Sequence, residues 1–206
     1  MKNLKINDDG TILIKNVRLS YPHLFEKFVM EGDDEAKGRY SAKFLLDKET
    51  HAEEIKALRR HLVELQKEWF EGKIGGDKLF FKDGEDSGKE EQEGAWVVSA
   101  SDSKRRPQVL HKDKSPITEE DDIVYAGCYV HALIRPWKQQ HPKYGKRVNA
   151  NLVGVQFHKD GERFGEEPVD ASNYFDDEDD GSSKAKSKAK SRQDDDDDFD
   201  DDDDFD

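Results

Sequence analysis

Cysteine is nearly missing from this 206-residue chain, in which Cys128 stands alone. One thiol excludes an intramolecular disulfide framework and a multi-cysteine zinc site. Long apolar runs are missing as well. Nothing approaches the ~18 consecutive apolar residues that read as a membrane span. The opening MKNLKINDDGTILIKN holds no apolar stretch of signal-peptide length. These absences predict a soluble protein of a reducing cytoplasm. Catalytic signatures are lacking too, with no GxSxG, HExxH, CxxC or P-loop pattern. The seven histidines are scattered, and none stands at ligand spacing from another His or Cys. Carboxylates are so numerous that no acid/base pair is singled out. The residues predict no enzyme, no metal and no other cofactor.

What the chain has in excess is acid, unevenly placed. Its formal net charge is −14, from 48 acidic and 34 basic residues. Asp176 to Asp206 carries 16 acidic and 5 basic residues, a net of −11, which leaves a net of only −3 for the rest. The chain therefore divides into a body, 1–175, and an acidic tail, 176–206. The tail ends in DDDDDFDDDDDFD. Its two rings, Phe199 and Phe205, bury too little surface to offset self-repulsion and chain entropy, so disorder is expected. Between the acidic blocks, GSSKAKSKAKSRQ reads as a flexible spacer carrying Lys184, Lys186, Lys188, Lys190 and Arg192.

The body reads as strands around one helix. Thr11 to Tyr21 alternates Val17, Leu19 and Tyr21 with polar residues, and Pro22 is expected to end it. RYSAKFLL puts Tyr40, Ala42, Phe44 and Leu46 on one face. A helix follows, with a capping box at Thr50 and Glu53, a seam of Ile55, Leu58, Leu62, Leu65 and Trp69, and Gly72 as its stop. AWVVSAS and PQVL are two more strands, and VYAGCYVHALIR is the longest signal. RVNANLVGVQF closes the series, with a bulge expected at Gly154. Five or six strands, one helix and no β-α alternation predict a mainly β fold, an OB-fold-like small closed barrel with one inserted α-helix.

One segment stands out for chemistry. RPWKQQHPKYGKR, Arg135 to Arg147, joins the last two strands and contains no acidic residue. It mixes Trp137 and Tyr144 with Arg135, Lys138, Lys143, Lys146 and Arg147. Cations that follow phosphates and flat rings on which unpaired bases stack are what a single-strand binder needs. A soluble loop with tucked aromatics is the plainer alternative. Tyr125, Tyr129 and His131 lie on the outward side of one flanking strand, and Asn149 on that of the other. Lys104, Arg105 and Arg106 add a second basic spot between strands.

The motifs NVRLSYPHLFE, RYSAKFLLDKE, VYAGCYVHALI, YGKRVNANLVGVQF and HKDGERFG occur in this order. From Thr11 to Gly165 the chain resembles a family of phage-encoded single-stranded DNA-binding proteins with an OB-fold and an acidic C-terminal tail. Pro136 to Pro142 departs from the Tyr/Asn-rich connection expected of that family. The resemblance implies an accessory of phage DNA replication, recombination and repair in the cytoplasm of an infected bacterial host. Its partners would be single-stranded DNA and replication or recombination proteins such as a polymerase or helicase, with a homo-oligomer allowed and no membrane involved. Phe199, Phe205 and Asp206 would dock those partners. The tail would either serve only as a solvated polyanion that keeps the protein soluble, or also compete with DNA, carboxylates standing in for phosphates, over a reach of about 30 Å. An acidic-tailed chaperone or DNA mimic, and an RNA-binding OB module, stay open on the residues alone.

Overall fold

The computed structural model describes residues 3–165. The tail expected over 176–206, with Phe199, Phe205 and Asp206, and the boundary at 175 lie outside them. The elements are β1 (Leu4–Ile6), β2 (Ile12–Phe28), β3 (Arg39–Asp47), α1 (Ala52–Phe70), β4 (Phe81–Asp83), β5 (Ala95–Asp102), β6 (Gln108–Leu110), β7 (Tyr129–His141) and β8 (Gly145–Lys159). All eight strands share one sheet in the order β4-β5-β3-β2-β7-β8-β6, with β1 against β2. The pairs are antiparallel except β6 with β8. Among the described residues no strand pair closes this sheet. Leu79, two residues before β4, makes a single parallel bridge to Val148 of β8. The mainly β fold with one inserted helix is as expected, but the barrel is curled rather than closed. Of this segment only Leu79 bridges to the β8 ladder, because the helical turn Gly76–Lys78 precedes it and β4 pairs with β5.

Alternation builds the core. Ala42, Phe44 and Leu46 of β3, Val130, Ala132 and Ile134 of β7, and Val148, Ala150 and Leu152 of β8 are all buried. Cys128 is buried with them, and burial pushes its thiol up to about 11. The helix lays Ile55, Leu58, Leu62 and Phe70 on this core. Each such side chain taken from water stabilises the fold by roughly 1.5–3 kcal/mol.

Several local expectations are corrected. Pro22 does not end β2, which runs on to Phe28. Asn16 and Tyr21 take φ of 56° and 47°, and the β2–β3 register slips between Ser20 and His23. Proline's missing N–H falls where this bulge already interrupts the ladder. The bulge also exchanges the faces, so that Ser20 is buried and Tyr21 is 42% exposed. At α1 no capping box forms; Thr50 instead donates its hydroxyl to Asp47 Oδ1, which also accepts from the Thr50 N–H. Glu71, with φ 59°, ends the helix in place of Gly72.

The strand expected from Val124 starts only at Tyr129. Gly127 has φ 108°, and a Cβ there would lie 2.0 Å from the Glu162 carbonyl oxygen. The chain leaving β8 crosses at this point, with the Phe164 N–H donating to the Ala126 carbonyl at 3.0 Å. Residues 124–128 therefore hold that crossing segment rather than extending the ladder. The Arg135–Arg147 connection, conversely, is mostly ladder. Pairing continues from Arg135↔Asn151 to His141↔Gly145, leaving only residues 142–144 as a turn. The bulge near Gly154 is present: Leu133 faces Gly154 while Ile134 faces Leu152, so Val153 is the extra residue.

Candidate nucleic-acid interface

The β7–β8 hairpin supplies one wall of an open cleft of about 820 Å³. Trp137 faces Asn149 across the ladder, and Gln139 faces Arg147. Side chains directly opposite share a face of the sheet. Asn149 Nδ2 donates to Gln139 Oε1 at 2.8 Å, tying the two strands beside the Trp137 ring. At the tip, Tyr144 is 54% exposed and lies 4.8 Å from the His141 ring. His141 Nδ1 accepts from the Lys143 N–H at 3.1 Å, and the Lys143 ammonium lies 5.5 Å from the Tyr144 ring.

β2 and β3 supply the facing wall through Tyr21, His23, Phe28, Arg39 and Lys43. The bulge at Tyr21 turns its ring outward, and its hydroxyl accepts from Lys89 Nζ at 2.7 Å. The ammonium groups of Lys43 and Lys89 stand 5.0 and 4.7 Å from that ring. His23 stacks on Phe28 at 4.5 Å, and Phe28 is half exposed. Ala42, Ala100 and Ala150 line the base, beside the Leu79 bridge. Their small side chains keep it low between the walls.

Electrostatics sets this cleft apart within a chain of acidic composition. Arg39, Lys43, Lys78, Lys82, Lys89 and Arg147 line it, against one acid, Asp77, which pairs with Lys78 at 3.0 Å. Burial first, and the neighbouring Lys89 and Lys82 among its further causes, hold Lys43 below the usual ammonium value. A polyanion placed here would relieve that mutual repulsion. A second hollow of about 430 Å³ adjoins the cleft, sharing Arg39, Ser101 and Trp137 with it and adding Lys104 and Arg105.

Of the residues singled out in the sequence, Trp137, Tyr144, Arg147 and Asn149 thus meet in the cleft, and Lys104 and Arg105 in the hollow beside it. The others are placed elsewhere or held by other contacts. Arg106 lies over the Phe25 ring at 5.2 Å. Arg135 pairs with Asp9 at 3.1 Å. Lys146 reaches the Phe70 carbonyl at 3.5 Å, a cation at the C-terminus of α1, and Lys138 is exposed on that same face of the hairpin. The Tyr129 ring sits under Lys159 at 4.4 Å, and His131 Nδ1 accepts from the Asn16 N–H at 3.0 Å. Tyr125 is off the strand. Its hydroxyl lies 3.0 Å from both Asp160 Oδ1 and the Gly161 carbonyl, and accepts from the Gly161 N–H at 3.2 Å.

Sequence reasoning missed the β2–β3 wall. The signal was present in RLSYPHLFEKF, where the four rings of Tyr21, His23, Phe25 and Phe28 flank a proline that breaks the strand period. Among the described residues no group of three or more His, Cys, Asp or Glu is placed to hold a metal ion, and no helix is long and apolar enough to cross a membrane.

Residues 10–185 match the family described as Enterobacter phage Enc34, ssDNA-binding protein. Protein p50 of Acyrthosiphon pisum secondary endosymbiont phage 1 is 34% identical over 175 residues, 81% of this chain and 92% of its own length. Among solved structures, the single-stranded DNA-binding protein from bacteriophage Enc34 in complex with ssDNA matches with a TM-score of 0.71 at 39% identity, over 80% of this chain and 95% of that one. A second structure of that phage protein gives 0.69 at 39% identity, over 85% and 96%.

Proposed function

This chain belongs to the family of the Enterobacter phage Enc34 ssDNA-binding protein, and on that premise we propose that it binds single-stranded DNA along the cleft between the β2–β3 wall and the β7–β8 hairpin. One observation carries the reading. In a chain of net charge −14, six cations and one acid surround an alanine-lined base, with Tyr21, Phe28, Trp137 and Tyr144 exposed on the walls. Rings of this kind stack on bases that a duplex keeps covered, and the cations follow the phosphates. Every base has a flat face, so binding is largely independent of sequence and asks no chemical step of the protein. Base–aromatic stacking is worth about 1–3 kcal/mol per base.

Within this reading the body, 1–175, holds DNA and the tail, 176–206, regulates access to it. Its net charge of −11 competes with DNA for the cleft cations. Displaced by DNA, the tail presents Phe199, Phe205 and Asp206 to a polymerase or helicase of phage replication, recombination or repair in the infected host. Titrating the full chain with matched single-stranded DNA, duplex DNA and RNA at two salt concentrations tests the proposal. Single-stranded DNA should bind more tightly than duplex at matched salt. Equal affinity for the two would reject the stacking walls, and a preference for RNA would make this an RNA-binding module.

A further inference from the structure

Two hollows that share a wall can be one path. The cleft and the smaller hollow both count Arg39, Ser101 and Trp137 among their lining residues. Trp137 is therefore not the end of the cleft but the partition between two compartments. Beyond it the β5–β6 turn presents Lys104 and Arg105, held in place because Asp102 Oδ1 accepts from their backbone N–H groups at 2.8 and 2.9 Å. Both side chains are exposed, and among the described residues no ion pair engages them. The shared Arg39 can serve a phosphate at the crossing point.

Resting on the cleft as the site for single strands, we propose that the hollow beyond Trp137 is a second phosphate-binding compartment. A strand long enough to fill the cleft passes Trp137 and runs on over Lys104 and Arg105. The Asp102 carboxylate gives the compartment its own signature. It shapes the turn that displays the two cations, yet its charge repels the same phosphates. Short strands, confined to the larger and more cationic cleft, feel neither effect.

Oligothymidylates from about 4 to about 16 nucleotides cover the range of site sizes on folds of this type. With the full chain, Lys104→Ala combined with Arg105→Ala should leave the shortest strands bound as before. For the longest it should lower the salt slope by roughly 1.4, two phosphate contacts at about 0.7 each on single strands. Asp102→Asn keeps the oxygen that organises the turn and removes the charge. It should tighten the longest strands roughly two- to fivefold at low salt, as for one screened charge contact, without changing the shortest. If the double variant weakens all lengths alike, or none, the second compartment is wrong. If Trp137→Ala is without effect at every length, the cleft reading itself has failed, and the two failures are thereby told apart.

Discussion

Trp137 lies in β7 and Tyr125 just before it, yet the two aromatic side chains have opposite surroundings. Trp137 has an open face on the cleft, whereas the Tyr125 hydroxyl binds the chain crossing at Asp160 and Gly161. Replacing Trp137, Tyr144 or Tyr21 with Ala should each weaken single-strand binding by about 1–3 kcal/mol in a fluorescence titration. Tyr125→Phe should leave that affinity alone and lower urea stability by about 1 kcal/mol through its lost hydrogen bonds. Arg147→Ala should cut the salt slope by roughly 0.7. Lys146→Ala should leave the slope intact while costing about 0.3–1 kcal/mol of stability at the end of α1. Trp137, Tyr144 and Arg147 were legible because a stretch without acid is conspicuous in so acidic a chain. Tyr21 was not, because alternation assigned it to the core and only the bulge at φ 47° turns it outward. Tyr125 was misplaced for the converse reason: counting alternate residues takes no account of the backbone crossing at Gly127.

Among the elements, β2 meets β7 at a histidine contact that should respond to pH. His131 accepts the Asn16 N–H through Nδ1, where the β2–β7 register slips between Ile14 and Val17, and lies 4.6 Å from the His158 ring. Burial, and then His158, hold His131 below its ordinary value of 6.5, and burial lowers His158 and His23 as well. A histidine depressed in the folded state contributes fully above its unfolded pKa. That stability is lost as pH falls through about 6.5, because the unfolded chain takes up the proton first. The thermal midpoint should therefore drop between about pH 8 and about pH 5. His131→Gln, which keeps an acceptor and removes the titration, should shrink the drop, and an unchanged profile would deny the contact its role. The strands themselves were legible where every second residue is apolar, as over Ala42–Leu46 of β3 and Val148–Leu152 of β8. Their ends were not. β7 and β8 reach into the supposed loop because cross-strand pairs such as Trp137 with Asn149 continue the ladder through polar sequence that carries no hydrophobic period.

At the level of the whole molecule, the chain sets a basic cleft against its own acidic excess. Deleting Gln193 to Asp206 should tighten DNA binding most at low salt, with the difference shrinking as screening rises. Phe199→Ala with Phe205→Ala keeps the charge and should change DNA affinity little, while weakening capture of a replication partner. The curled sheet was legible as a β fold, but the opening between the β2–β3 wall and the β7–β8 hairpin depends on long-range pairing that composition and period do not encode. Whether DNA lies in that opening is read most directly by ultraviolet cross-linking of the full chain to an oligothymidylate, with the attached peptides mapped by mass spectrometry. Adducts should fall on Tyr21, Phe28, Trp137 and Tyr144. Adducts confined to the Tyr125–His131 end of β7 or to α1, with the cleft rings unmodified, would contradict the assignment.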